Sequence, residues 1–152
     1  MRREGALARD RTDIQRAALL MGGVFLVVTL AGFIPGITTN YDGLTEFSGE
    51  GAKIFGIFGT NILENIVHLL YGVAGLAAAA SWAASKNYFI WGGAVYLVVW
   101  LYGLLGGSDE NSSANFLGLN SASDWLHFLL GVAMIAVGFL LSRRVTAAAA
   151  TA

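Results

Sequence analysis

Four long apolar stretches dominate the chain, and each is bounded by polar or charged residues. They lie near residues 16–35, 56–80, 88–106 and 124–142. An α-helix rises about 1.5 Å per residue, so about 20 apolar residues are enough to cross the roughly 30 Å hydrocarbon core of a bilayer. The pattern therefore predicts an all-α membrane protein with four transmembrane helices.

Polar segments flank this predicted transmembrane domain, which runs from 16 to 142. Residues 1–15 are predicted to form an N-terminal tail and residues 143–152 a C-terminal tail. At the entry to span one, Thr12 is followed three residues later by Gln15, the spacing of a capping box. This spacing predicts that the first helix starts just after Thr12.

Charged residues are few, but their distribution predicts an orientation. The chain is 56% hydrophobic and 12% charged, and eight of its nine basic residues lie in the two tails, at the first residue of span one, and in the short connection between spans two and three. The other two connections are acidic, and Lys53 is the ninth basic residue. The positive-inside rule therefore predicts cytoplasmic termini. The net charge of -1 favours no nucleic-acid partner, and the absence of cysteine excludes disulfides and thiolate metal sites.

An internal repeat is visible when span two is laid on span four with an offset of 59 residues. The segment "FGTNILENIVHLLYGVA" then faces "LGLNSASDWLHFLLGVA", and spans one and three also correspond if one residue is inserted after their paired glycines. The matched polar pairs are Asn61 with Asn120, Asn65 with Asp124, and His68 with His127. We therefore predict two tandem helical hairpins, about 16–81 and about 88–142, related by a pseudo-two-fold axis along the membrane normal.

Polar and small residues share one face of span two and one face of span four, because a helix turns about 100° per residue. Ionisable groups are expelled from lipid, so both faces are predicted to turn inward and to face each other, with small residues allowing close backbone approach. These faces consist of Asn61, Glu64, Asn65, His68, Gly72, Gly75 and Ala79 in span two, and of Asn120, Ser123, Asp124, His127, Gly131, Met134 and Gly138 in span four. The repeat predicts both histidines at equal depth.

Three roles fit this polar pocket between spans two and four. In the first, His68 and His127 ligate a haem iron or a divalent metal ion, with Glu64 as an oxygen ligand one helical turn before His68. The other candidate ligand-binding residues are Asn61, Asn65, Asn120 and Asp124. In the second, the same side chains are interhelical hydrogen bonds in a structural or partner-binding subunit. In the third, the carboxylates and imidazoles form a proton or small-solute conduit.

An enzyme is not indicated, because no nucleophile, base and orienting group occur at a usable spacing. The bilayer is the expected partner. Self-association or membership of a larger membrane complex is compatible with a single four-helix unit, which buries little surface of its own.

Three motifs together resemble a bacterial membrane family known as domain of unknown function 4383. They are "GFIPGITTNYD", "ENIVHLLYGVAGL" and "ANFLGLNSASDWLHFLLG", and the resemblance covers about residues 16–142. It implies a small protein of four spans in the bacterial plasma membrane, with the histidine-containing segments as characteristic motifs. In many members the position of Glu64 is a histidine, so this chain departs from the family pattern there, which disfavours an all-imidazole site and leaves a mixed carboxylate and imidazole site open.

Overall fold

Four α-helices form most of the protein. The computed structural model describes residues 11–48 and 51–150. The helices are α1 (Asp13–Gly32), α2 (Ile62–Ala78), α3 (Trp82–Tyr102) and α4 (Ser121–Ala150). By length and composition α1, α3 and α4 can cross a membrane, and α2 is a shorter apolar helix of 17 residues. The predicted helical, membrane-type fold class is confirmed.

The connection between α1 and α2 contains a small antiparallel sheet that the hydrophobic pattern does not predict. Its strands, in the order in which they pair, are β1 (Thr38–Thr39), β2 (Lys53–Ile54) and β3 (Phe58–Gly59). Phe55 and Gly56 turn the chain between β2 and β3 with φ angles of 55° and 71°. Span two therefore begins at Ile62 and not at 56. Apolar residues fill short buried strands as readily as helices, so hydropathy alone does not separate the two.

Other helix ends also differ from the prediction. The first helix starts after Thr12 as expected, inside the segment assigned to the N-terminal tail, whose residues 1–10 lie outside the described part. Helix α3 begins at Trp82 rather than 88, because the Ser81 hydroxyl accepts a hydrogen bond from Ala84 N–H at 3.2 Å and caps it. Helix α4 runs to Ala150, so residues 143–150 of the predicted tail are helical, in keeping with their alanine content.

The helices pack mainly within the two hairpins, α1 along α2 and α3 along α4. Glycines allow the close approach. A Cβ atom on Gly22 would lie 2.8 Å from the Gly72 carbonyl oxygen, and one on Gly93 would lie 2.7 Å from the Gly131 carbonyl oxygen. The glycines of α2 and α4 therefore contact α1 and α3. The predicted glycine contact between α2 and α4 is wrong, because the glycines of each of these helices face the other helix of the same hairpin.

The contacts of the first hairpin recur in the second. Residues of α2 correspond to α4 at an offset of 59, and residues of α1 correspond to α3 at an offset of 71, so Gly22 matches Gly93 and Phe25 matches Tyr96. Phe25 packs on the histidine of α2, and Tyr96 packs on the histidine of α4. The one-residue insertion predicted after the paired glycines, in the alignment of span one with span three, is therefore wrong. One extra residue inside a helix would rotate every later side chain by about 100° and remove these matched contacts.

Two asparagines begin α2 and α4 and also connect the hairpins. The side-chain oxygens of Asn61 and Asn120 each accept a hydrogen bond from the backbone N–H three residues later, at 2.9 and 3.0 Å. Their side-chain amides cross to the other hairpin. Asn61 Nδ2 donates to the Phe116 carbonyl at 2.8 Å, and Asn120 Nδ2 donates to the Ile57 carbonyl at 2.9 Å. Ile57 and Phe116 are themselves matched by the repeat, so the exchange is reciprocal.

The Asn120→Ala variant should lower the free energy of unfolding by about 2 kcal/mol, because it removes a helix cap and side-chain hydrogen bonds to two residues of the first hairpin. Those residues are Gly59, whose N–H donates to Asn120 Oδ1 at 3.1 Å, and Ile57. The measurement is denaturant unfolding of the detergent-purified protein. Asn111→Ala, at an exposed loop position, is the control and should change stability by less than about 0.5 kcal/mol. Equal midpoints for the two variants would contradict the prediction.

Candidate metal centre

Glu64, His68 and His127 meet in the interior between the two hairpins. Glu64 Oε1 lies 3.4 Å from His127 Nε2 and 4.0 Å from His68 Nε2. One ligand atom from each residue lies within 4.8 Å of the other two. The three residues are only 5%, 8% and 4% exposed, respectively. The structure thus brings together the three residues that the sequence predicts as metal ligands, and we call them the Glu–His–His cluster.

Local sequence explains why these side chains converge. Glu64 and His68 are four residues apart, so they lie one turn apart on the same face of α2. Each histidine follows the capping asparagine of its own helix by seven residues. Both imidazoles therefore lie at the same distance from the starts of their helices. The hydrogen bonds that the capping asparagines make to the opposite hairpin hold those two helix starts next to each other.

The Glu–His–His cluster has unused hydrogen-bonding capacity. Within the described part of the chain, Glu64 Oε2 and the Nδ1 atoms of His68 and His127 are buried without a hydrogen-bond partner. The hydroxyl of Tyr96, whose ring packs on His127, is buried and unpartnered as well. A buried polar group without a partner costs roughly 1–3 kcal/mol. A cation bound at the cluster would engage the free Glu64 oxygen.

The other candidate binding residues do not join the cluster. The two capping asparagines, Asn61 and Asn120, use both side-chain groups in the caps and the exchange between hairpins. Asn65 packs against Gly32 at the end of α1, and Asp124 packs against Gly103, the residue that follows α3. A Cβ atom on either glycine would collide with the facing side chain. Only the first pair therefore hydrogen-bonds across the hairpins, since Asn65 Nδ2 and Asp124 Oδ1 have no hydrogen-bond partner among the described residues.

Two cavities flank the cluster, and all three cluster residues line both of them. The α1–α4 cleft has a volume of about 250 Å³, and the α2–α3 cleft has a volume of about 220 Å³. The remaining walls are mainly apolar. The repeat relates the two walls, since Val24, Phe25 and Val28 in the α1–α4 cleft correspond to Val95, Tyr96 and Val99 in the α2–α3 cleft.

The two halves differ in chemistry at the cluster. Glu64 corresponds to Ser123, whose hydroxyl is used in the cap of α4, and Tyr96 corresponds to Phe25. The sequence does not predict a role for Tyr96, because one aromatic residue in an apolar span has no distinctive pattern. The signal that could have found it is this difference between otherwise matched helices.

The segments that build the cluster lie inside a region that matches a known protein family. The family model described as Domain of unknown function (DUF4383) matches residues 15–140. The chain belongs to the DUF4383 family. This confirms the resemblance inferred from the three sequence motifs, and the matched region includes every residue of the Glu–His–His cluster and of both cleft walls. Among curated proteins and solved structures, no match to this DUF4383 protein was found.

Proposed function

We propose that this DUF4383 protein binds a divalent metal ion through Glu64, His68 and His127. The observation that carries the proposal is the convergence of one carboxylate and two imidazoles within 4.8 Å in a buried interior. Imidazole and carboxylate ligands suit zinc and other divalent transition metals. A bound cation would also offset the free-energy cost of burying the Glu64 carboxylate.

The spacing of the ligand atoms is close to what one ion requires. Bonds from zinc to imidazole nitrogen and carboxylate oxygen are about 2.0–2.2 Å long, so atoms around a tetrahedral ion lie roughly 3.4 Å apart. Glu64 Oε1 and His127 Nε2 are already 3.4 Å apart. His68 Nε2 lies 4.0 Å from the same oxygen, so a rotation of the His68 side chain would have to bring it closer to the ion. The ion would join the first hairpin to the second.

Three protein ligands leave a fourth position on a tetrahedral ion. Catalytic zinc sites keep such a position for water or substrate, whereas structural sites are closed by four protein ligands. The α1–α4 cleft and the α2–α3 cleft both reach the cluster, so they supply the space for an exogenous ligand. The proposed centre is therefore of the open type.

A haem group is less well supported than a single ion. Bis-histidine ligation places the two Nε2 atoms on opposite sides of a flat macrocycle. Here Glu64 Oε1 lies within 4.0 Å of both Nε2 atoms, in the space that the macrocycle would need. A small ion fits this arrangement without displacing the carboxylate.

A structural role is the second candidate. The 3.4 Å contact between Glu64 Oε1 and His127 Nε2 crosses from one hairpin to the other and pairs a carboxylate oxygen with an imidazole nitrogen. Interhelical hydrogen bonds in membrane proteins contribute about 0.6 kcal/mol on average. Under this alternative the cluster is complete without a metal ion.

We propose that the protein lies in the bacterial plasma membrane with both termini in the cytoplasm and the acidic connections outside. Large apolar side chains cover the outward faces of the helices, with Leu20, Val27, Trp91, Val98 and Leu129 each more than 60% exposed. Such a surface suits contact with lipid acyl chains. The orientation rests on the distribution of basic residues.

Metal binding by the detergent-purified protein tests the proposal. Elemental analysis and equilibrium titration should give one divalent ion per chain, and a cobalt-loaded sample should show the visible absorption of a site with nitrogen and oxygen ligands. His68→Ala and His127→Ala should each weaken binding by at least about 100-fold, since loss of even an outer-shell partner typically costs 10–100-fold.

The matched control is Asp124→Asn, because Asp124 lies one turn before His127 but is outside the cluster. This variant should bind the ion with unchanged stoichiometry and affinity. If no ion binds, or if His127→Ala binds as tightly as the unaltered protein, the metal proposal is wrong. The structural alternative would then be favoured by a loss of stability in His127→Ala without metal.

A further inference from the structure

The α2–α3 cleft contains a hydrogen-bond donor that the proposed metal centre does not use. Tyr96 lines this cleft, is 4% exposed, and its hydroxyl has no partner among the described residues. The other tyrosine of the cleft, Tyr71, already donates to the Gly92 carbonyl at 3.0 Å. The matched position in the α1–α4 cleft is Phe25, which has no hydroxyl. The free donor is therefore specific to one of two otherwise similar clefts.

The rim of the α2–α3 cleft lies on the apolar outer surface of the helices. Val95 belongs to the cleft and is 51% exposed, and its neighbours on the outward face of α3, Trp91 and Val98, are 69% and 65% exposed. In a bilayer, this surface contacts hydrocarbon. A ligand would therefore enter from the lipid phase, and it would need an apolar body to match the walls.

The polar end of such a ligand is defined by the groups at the base of the cleft. The Tyr96 hydroxyl donates a hydrogen bond, so the ligand must offer an acceptor. The Glu64 carboxylate beside it disfavours an anionic acceptor, and the apolar walls disfavour any charge. A neutral carbonyl meets these requirements. The rings of Tyr71 and Tyr96, with centroids 4.8 Å apart, add aromatic surface on which a flat conjugated ring can pack.

We propose that the α2–α3 cleft binds a lipid-soluble quinone, with a ring carbonyl accepting a hydrogen bond from Tyr96 and an apolar tail extending into the bilayer. The cavity of about 220 Å³ has room for a substituted six-membered ring. Binding at this cleft goes beyond the proposed metal centre and does not require it, because the donor belongs to Tyr96 and not to the Glu–His–His cluster.

Quenching of intrinsic tryptophan fluorescence by decylubiquinone tests this inference, with the full chain in lipid nanodiscs and a chelator present. The unaltered protein should show saturable quenching that decylbenzene, which has the tail but no carbonyl, does not displace. Tyr96→Phe makes the α2–α3 cleft resemble its repeat mate and should weaken binding about tenfold, the effect of losing one hydrogen bond. The matched control Phe25→Tyr should stay within about twofold of the unaltered protein.

A second pair of variants tests which cleft binds the quinone by filling one cleft at a time with a larger side chain. Val99 and Val28 occupy matched wall positions. Val99→Phe should abolish saturable quenching, whereas Val28→Phe should preserve it, and circular dichroism verifies that both variants fold. The inference is overturned if quenching is unsaturable in the unaltered protein, if Tyr96→Phe binds with unchanged affinity, or if Val28→Phe weakens binding as much as Val99→Phe. Because the chelator removes free metal, failure of the metal centre would leave this result unaffected.

Discussion

Zinc ions should stabilise the folded protein by about 4 kcal/mol when present at a thousand times their dissociation constant. The physical reason is that the ligands come from separate hairpins, Glu64 and His68 from the first and His127 from the second. They converge only when the hairpins are packed, so the ion binds the folded chain in preference to the unfolded one. Thermal unfolding followed by circular dichroism should show a rise in Tm of roughly 10 °C.

Two variants test whether this stabilisation by zinc arises at the Glu–His–His cluster. His127→Ala removes the ligand of the second hairpin, so zinc should no longer raise its Tm. Asp124→Asn leaves all three ligands in place and should show the full rise. An equal rise in His127→Ala and in the unaltered protein would show that zinc stabilises the chain elsewhere.

Replacing Gly22 by alanine should lower the free energy of unfolding by about 3 kcal/mol. The added Cβ atom would lie 2.8 Å from the carbonyl oxygen of Gly72 and 2.8 Å from the amide nitrogen of Leu76. Both are backbone atoms of α2, which cannot move aside as a flexible side chain can. Relief therefore requires α1 and α2 to separate, with loss of packing along the whole hairpin. Denaturant titration in detergent measures the change.

The neighbouring glycine provides a control with the same chemistry. A Cβ atom on Gly23 would meet nothing within 4 Å. Alanine is favoured over glycine inside a helix by about 1 kcal/mol, so Gly23→Ala should be neutral or stabilising. Gly22→Ala gains the same helix propensity and still loses stability. If both variants unfold at the same denaturant concentration, the close contact between α1 and α2 does not limit stability.

Part of the candidate site was predictable from sequence, and part was not. The spacing of Glu64 and His68 placed them on one face of a helix, and the offset of 59 residues related His68 to His127. Both inferences use periodicity, which is a local property of the chain. Tyr96 was not predicted, because its unpartnered hydroxyl results from the neighbours that α2 and α4 place around it.

The roles of the asparagines show the same distinction. The sequence identifies Asn61 and Asn120 as matched polar residues at the starts of apolar spans, and this pattern predicts binding residues. In the folded chain they cap helices and hydrogen-bond to carbonyls 55 and 63 residues away in sequence. A polar residue at a helix start has the same sequence signature in both roles, so only its partners distinguish them.

From the amino-acid order alone follow the apolar helices, the family, the matched halves and the inward placement of the ionisable residues, because each depends on local periodicity or on the cost of burying charge in hydrocarbon. Tertiary structure alone decided that β3 replaces the first turns of span two, that glycines join helices within a hairpin, and that two unlike clefts flank one Glu–His–His cluster. Those features depend on contacts between residues far apart in the chain, and such contacts leave no periodic pattern in the sequence.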